Sequence, residues 1–292
     1  MADAQWSPGR RSGDAEEFLP VLDLIEPARQ RRLTVLFRLL LLIPHFIVLF
    51  FLGIAAFFTV VFGWFAALVL GRLPMPVFGF LAATLAYRTR VSANVMLLVD
   101  RYPPFTLTQP SDYPVCIDVR PTRLNRLAVL FRLILAIPAA IVQSLATTGW
   151  FALAVIWWLV TLVLGRMPKP LFEATAAVLR YEMRLSAYLS MLSPAYPKGL
   201  FGEDALSVPE GRGRSATRPL VLGTGGKVLL GIFLVVGFFA DVTTSVTGAS
   251  SDGSSGSDYG LRAPVSAGRA DALADGWVPP GDAAPVLTRT HQ

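Results

Sequence analysis

The sequence predicts an all-α integral membrane protein. It comprises two parallel repeats, each a transmembrane helical hairpin plus an amphipathic, interfacial helix, with one further C-terminal apolar helix and short β-strands before each hairpin. Three observations predict this. First, 53% of the 292 residues are hydrophobic and 16% charged, where soluble domains carry roughly 25% charged residues; the mean hydropathy is +0.54. Second, the apolar residues gather in two long runs, Leu33–Leu70 and Leu127–Leu164, each holding one charge, Arg38 or Arg132. Third, the chain matches itself at an offset of 94 residues, Arg32 aligning with Arg126.

The self-match covers more than the apolar residues. RLTVLFRLLLLIP from Arg32 aligns with RLAVLFRLILAIP from Arg126, Trp64 with Trp158, and GRLPMP from Gly71 with GRMPKP from Gly165. Tyr87, Arg90 and Ser92 align with Tyr181, Arg184 and Ser186, without a gap. Shared hydrophobicity does not preserve charges and prolines in register, so the module is duplicated. The parts are a polar N-terminal segment 1–19, copies at 20–108 and 114–203, a basic linker 204–218, a last transmembrane helix 219–241 and a disordered polar tail 242–292.

Each copy opens with a polar alternating segment, Pro20–Leu24 or Pro114–Val119, which suits a short strand, the two pairing with each other. The apolar run that follows would be about 57 Å long as a single helix, against a hydrocarbon core of about 30 Å. Two helices fit better, with a turn near Gly53 in the first copy and near Thr147-Thr148-Gly149 in the second, where helix propensity is weakest. Gly71 with Pro74, and Gly165 with Pro168, end the second helix, because glycine suits a C-cap and proline forbids continuation. Beyond them, Val77–Leu98 and Leu171–Leu192 have helical propensity but carry arginines and acids on two stripes. That load favours an interfacial helix over a third span. A final apolar stretch, Val228–Ala240, completes five spans.

On this topology the arginines flanking the apolar runs fall on the cytoplasmic side of a plasma (inner) membrane. The N-terminus is then cytoplasmic and the C-terminal tail external. The net charge of +6 and isoelectric point of 9.8 sit beside the apolar runs, which points to anionic phospholipid headgroups, not to nucleic acid. Protein partners are not specified by the sequence. The single cysteine, Cys116, excludes an internal disulfide framework.

The residues FRLLLLIPHFIVLFFLG, GRLPMPVF and VDRYPPF resemble a bacterial membrane family known as domain of unknown function family 4389, and both copies look like members. The resemblance covers residues 20 to 203. It implies an integral membrane protein and supplies no activity, substrate or site. The second copy departs from it in having Ala139 where the first has His45, and in ending AYPKGLFG instead of DRYPPFTL.

Candidate sites follow from charges and breaks. Arg38 and Arg132 sit inside the first helix of each copy, where they either snorkel to headgroups or form an anion site between the modules. Arg90 and Arg184 are further candidate lipid or anion contacts, with nearby acids as the other possible partners. Pro44 and Pro138 kink their helices as plain bends or as hinges. No triad, Walker loop, HExxH motif or carboxylate pair at useful spacing is visible, so no catalytic, cofactor or metal residues are expected. The expected function is a non-enzymatic envelope scaffold or lipid-interacting module. The alternative is a small transporter or channel with a path between the repeats.

Overall fold

The computed structural model describes residues 19–25, 29–110, 112–202, 217 and 220–252. The N-terminal segment before residue 19, most of the basic linker and the tail beyond residue 252 lie outside the described residues. Contacts divide the chain into Met1–Gly248 and Ala249–Gln292. The first unit is described below; of the second, only the end of the last helix falls among the described residues.

The elements run β1 (Val21–Leu24), α1 (Arg32–Leu70), α2 (Met75–Val95), β2 (Val115–Asp118), α3 (Arg126–Leu130), α4 (Arg132–Ala152), α5 (Ala154–Leu164), α6 (Lys169–Leu189) and α7 (Thr224–Asp252). The two strands form an antiparallel ribbon in which Leu22 faces Ile117 and Leu24 faces Val115. Leu22, Leu24 and Val115 are buried, which fixes the register by the face each strand presents to the core.

Neither apolar run is a hairpin. α1 is one helix of 39 residues, and its Gly53 sits in an unbroken helical stretch. The second run loosens only at Phe131 (φ −91°, ψ 7°) and Leu153 (φ −99°, ψ 3°), and backbone bonds such as Leu135 N–H to Phe131 O cross the first break. The expected turns at Gly53 and Thr147-Thr148-Gly149 do not form. One glycine costs a helix only about 1 kcal/mol, whereas a turn exposes several backbone polar groups that an apolar environment leaves unpaired. Three stretches are long and apolar enough to cross a membrane: α1, α4 and Thr224–Thr244 of α7. This is fewer than the five spans expected.

Gly71 (φ 67°) and Gly165 (φ 65°) adopt the left-handed conformation that caps α1 and α5. Pro74 and Pro168, extended, precede α2 and α6. Pro44 and Pro138 lie within α1 and α4. At the far ends of α2 and α6, Leu97 and Met191 take positive φ without being glycine, and both are buried. Packing therefore holds a backbone conformation that costs an ordinary side chain free energy.

The last helix extends past its expected end at residue 241 to Asp252. Thr243 and Thr244 donate their hydroxyls back to carbonyls of Phe239, Ala240 and Asp241, so these polar side chains are satisfied inside the helix.

The long rods, α1 and α3–α5, run antiparallel, and their contacts reciprocate at the 94-residue offset. Trp64 Nε1–H donates to Val129 O at 3.1 Å and Trp158 Nε1–H to Val35 O at 2.9 Å. Arg126 donates to Val69 O and Arg32 to Val163 O. The backbone N–H groups of Leu124 and Gln30 bond to Gly71 O and Gly165 O. Each of these rod contacts made by one copy is thus returned by the other, as across a two-fold axis. The ribbon obeys the same relation, and α2 and α6 meet where Arg88 pairs with Glu182, its own counterpart at the offset.

Candidate functional site

Both buried helix arginines face protein. Arg38 is 2% exposed and donates to Asn94 O (3.0 Å), Gln30 Oε1 (3.2 Å) and Asp100 Oδ1 (3.3 Å). Arg132 donates to Ser193 O and lies 4.1 Å over the Tyr188 ring. Copy 1 therefore balances its charge with a carboxylate, while copy 2, with Pro194 at the position equivalent to Asp100, uses an aromatic face.

Arg90 and Arg184 also turn inward. Arg90 donates to the carbonyls of Ala86, Thr106 and Thr108, and Arg184 to those of Pro20 and Lys198. Each guanidinium fastens the loop after its helix back onto that helix. The guanidiniums of all four arginines thus bond to protein: a backbone carbonyl, Gln30 and Asp100 for Arg38, carbonyls for Arg90 and Arg184, and a carbonyl and the Tyr188 ring for Arg132. Burial lowers the Arg90 pKa. It also pushes the neighbouring Tyr113 hydroxyl, which donates to Arg101 O, up to about 12.

His45 is buried beside Pro44. Its Nδ1 lies 2.6 Å from the Tyr87 hydroxyl and its ring stacks on Phe105 at 4.0 Å. Copy 2 has Ala139 there, so this cluster belongs to one copy. Among the described residues, no group of three His, Cys, Asp or Glu side chains is placed to hold a metal ion.

The distinctive geometry lies between these fixed points. α1 is held at both ends, with Val35, Arg38, Leu42 and His45 buried near one and Gly63 and Ala67 near the other. None of residues 46–62 between them is buried. Phe50, Phe51, Phe57, Phe58 and Phe62 are each more than 60% exposed. α1 packs on α3 at one end and α5 at the other, while the middles of the two rods stand apart.

A cavity of about 600 Å³ fills the gap. Its rod wall is apolar, with Phe46, Leu49, Phe50, Gly53 and Ala56; its α2–α6 wall adds Ser92, Ser186 and the Arg88–Glu182 pair, closed at 3.1 Å. Sequence reasoning placed Gly53 at a turn and Ser92 and Ser186 in the self-match, but did not read any of these residues as the wall of a cavity. Two signals for them stood in the self-match: Ala56 aligned with Trp150, and Arg88 aligned with Glu182.

The second rod is packed where the first is open. Trp150 is 2% exposed and donates to Thr175 Oγ1 at 3.0 Å. A Cβ added at Gly149 would meet the Phe233 carbonyl of α7, and one at Gly237 would meet that of Leu145. These two backbones approach as closely as small residues allow in membrane helix pairs.

A family model described as Domain of unknown function (DUF4389) matches residues 32–106 and again 126–200. Its two matches bracket the rods and the helices that follow them. No curated protein and no solved structure matches the chain.

Proposed function

Since the chain belongs to the family described as Domain of unknown function (DUF4389), which matches more than half of it in two copies, we propose from its own geometry that it is a non-enzymatic, lipid-interacting membrane module. In this reading its two rods arch into the bilayer from one face. The observation that carries it is the free middle of α1, with 17 consecutive unburied residues, 46–62, between two anchored ends. Those residues include eight exposed phenylalanines and isoleucines, Phe46, Ile47, Phe50, Phe51, Ile54, Phe57, Phe58 and Phe62, a surface suited to hydrocarbon and costly in water.

The arch follows from symmetry and length. A straight α1 is about 57 Å long, nearly twice the hydrocarbon core. If the antiparallel rods crossed the bilayer, the axis relating them would lie in the membrane plane. The ribbon and its loops, which share that axis, would then sit at mid-depth, where irregular polar backbone is not tolerated against lipid. With the axis along the membrane normal, the ribbon stands in water and the rod ends lie at the interface. The basic residues Arg29, Arg31, Arg32 and Arg72 at the ends of α1, and Arg123, Arg126, Arg166 and Lys169 at those of the second rod, then meet headgroups on one side. The copies are parallel repeats in this sense, although their rods run opposite ways. By the charge rule that side is cytoplasmic, with α7 as the membrane-crossing anchor.

The experiment is paired cysteine accessibility in intact cells, in a Cys116→Ser background. Cysteines at Arg31 and Arg72 should both resist an impermeant reagent until the membrane is opened. Labelling of one and not the other in intact cells would mean a straight span and would end the reading. The cavity between the copies favours a second reading, a carrier. It requires a route past the closed Arg88–Glu182 pair, and solute flux in proteoliposomes that disappears on filling the cavity would support it.

A further inference from the structure

We propose that the cavity between the arches is a binding site for one phospholipid of the surrounding bilayer, with its acyl chains against α1 and its phosphate at Arg88. This rests on the arches being embedded, and it goes further by assigning a ligand to a place.

The second copy shows what the space requires. At the offset of 94, Ala56 and Leu81 of the cavity wall correspond to Trp150 and Thr175. In copy 2 the indole fills the space between rod and following helix and satisfies its N–H on Thr175 Oγ1. In copy 1 the small Ala56 leaves the space open, and Leu81 offers no acceptor. Copy 1 also has Gly53, around which nothing lies within 4 Å of an added Cβ. Protein interiors do not keep such volumes empty without loss of contacts. The material at hand beside an embedded arch is lipid.

The chemistry of the walls selects the lipid. The volume of about 600 Å³, usual for a small-ligand site, holds only part of a diacyl phospholipid, so its chains run on from the cavity into the surrounding hydrocarbon. The wall formed by α1 is apolar and faces hydrocarbon on its other side. The opposite wall carries Ser92, Ser186 and the Arg88 guanidinium, whose side chain is 57% exposed while that of its partner Glu182 is 19% exposed. A guanidinium has five donors in a planar fork, and its bond to Glu182 leaves others for phosphate oxygens. An amphiphile with hydrocarbon chains and a phosphate matches both walls. An apolar peptide helix would set hydrophobic side chains against the ion pair.

The test is photo-crosslinking in vesicles of phosphatidylglycerol and phosphatidylcholine, containing a trace of phosphatidylglycerol with a diazirine on its acyl chain. Labelled peptides are mapped by mass spectrometry. Label is expected on the outward residues Phe57, Phe58 and Phe62 and also on Leu85, Val91 and Val95 of α2, which only a chain inside the cavity reaches. Outward label without α2 label overturns the lipid site while leaving the embedded arch intact; absence of outward label overturns the arch itself.

The double variant Ala56→Trp/Leu81→Thr transplants the filling seen in copy 2 and should abolish α2 label without changing outward label. Gly53→Phe is the second filler in case the double variant misfolds. Persistence of α2 label in a folded filled variant contradicts the proposal. Arg88→Gln should reduce α2 label; if it leaves that label unchanged, the phosphate assignment is wrong.

Discussion

The two copies share a sequence and differ in how they bury it. In the first copy, the middle of the rod carries Phe46, Phe50, Gly53 and Ala56 and stands off from α2, leaving a cavity. In the second, the aligned residues are Ala140, Ser144, Thr147 and Trp150, and the rod is closed against α6 by Trp150 and against α7 through Gly149. The residues that diverged are those facing the gap and the added helix. Those that persisted, Trp64 and Trp158, Arg32 and Arg126, Gly71 and Gly165, hold the rod ends together. Duplication thus preserved the frame and let the middles diverge, one packed against protein and one left open.

The largest expected break in that comparison is Trp150→Ala. Removing a fully buried indole should destabilise the protein by about 3 to 5 kcal/mol, read as a lowered thermal midpoint in detergent. The opposite exchange at Ala56, with Leu81→Thr, should not destabilise. If the two exchanges cost the same, the middles are not differently packed.

Next is Gly149→Leu, whose side chain would collide with the Phe233 carbonyl. We expect a loss of about 3 kcal/mol and protease access to α7. Its counterpart Ala55→Leu, on the exposed face of α1, should stay within about 0.5 kcal/mol.

The buried arginines should separate as their partners do. Arg38→Met strands the half-buried Asp100 and should cost about 2 kcal/mol, discounted from a fully buried pair because that carboxylate side chain is 22% exposed. Arg132→Met loses one carbonyl bond and a ring contact and should cost about 1 kcal/mol. Thermal unfolding of the two variants side by side checks the order.

The smallest effect concerns alkali. Burial raises the Tyr113 hydroxyl from 10.0 to about 12, so the unfolded chain loses this proton at a lower pH than the folded one. Its contribution is complete below pH 10 and is lost as pH rises from 10 to about 12. Tyr113→Phe should flatten the stability profile in that window, at a cost near 1 kcal/mol for the hydroxyl bond to Arg101 O. Leu19, at the equivalent position before β1, cannot titrate, so the effect belongs to one copy.

Much of the frame was legible in the sequence. The repeat, the strand pair before the rods, the caps at Gly71 and Gly165 and the helices after the prolines all follow from local chemistry and period. The unbroken first rod was not, because a length of about 57 Å seemed to demand a turn. A single helix carries that length through Gly53 with its backbone paired, Pro44 removing only one donor.

The protein partners of the arginines were not legible for a related reason. Sequence shows a charge in an apolar run but not that Asn94, Ser193 and Tyr188 come back to meet it. The cavity was hinted at by Ala56 opposite Trp150, a volume mismatch that only becomes a hole once the neighbouring helix is in place.

The central claim is that α1 enters and leaves the bilayer on one face, and depth along the helix tests it most directly. Spin labels placed singly at exposed positions from Leu33 through Phe50 and Phe58 to Val69, in the Cys116→Ser background, report depth by their accessibility to oxygen and to a water-soluble relaxant. The account predicts a profile that deepens from both ends to a maximum near residues 50–58. A depth that passes through the bilayer centre and emerges on the opposite face at Val69 would contradict it.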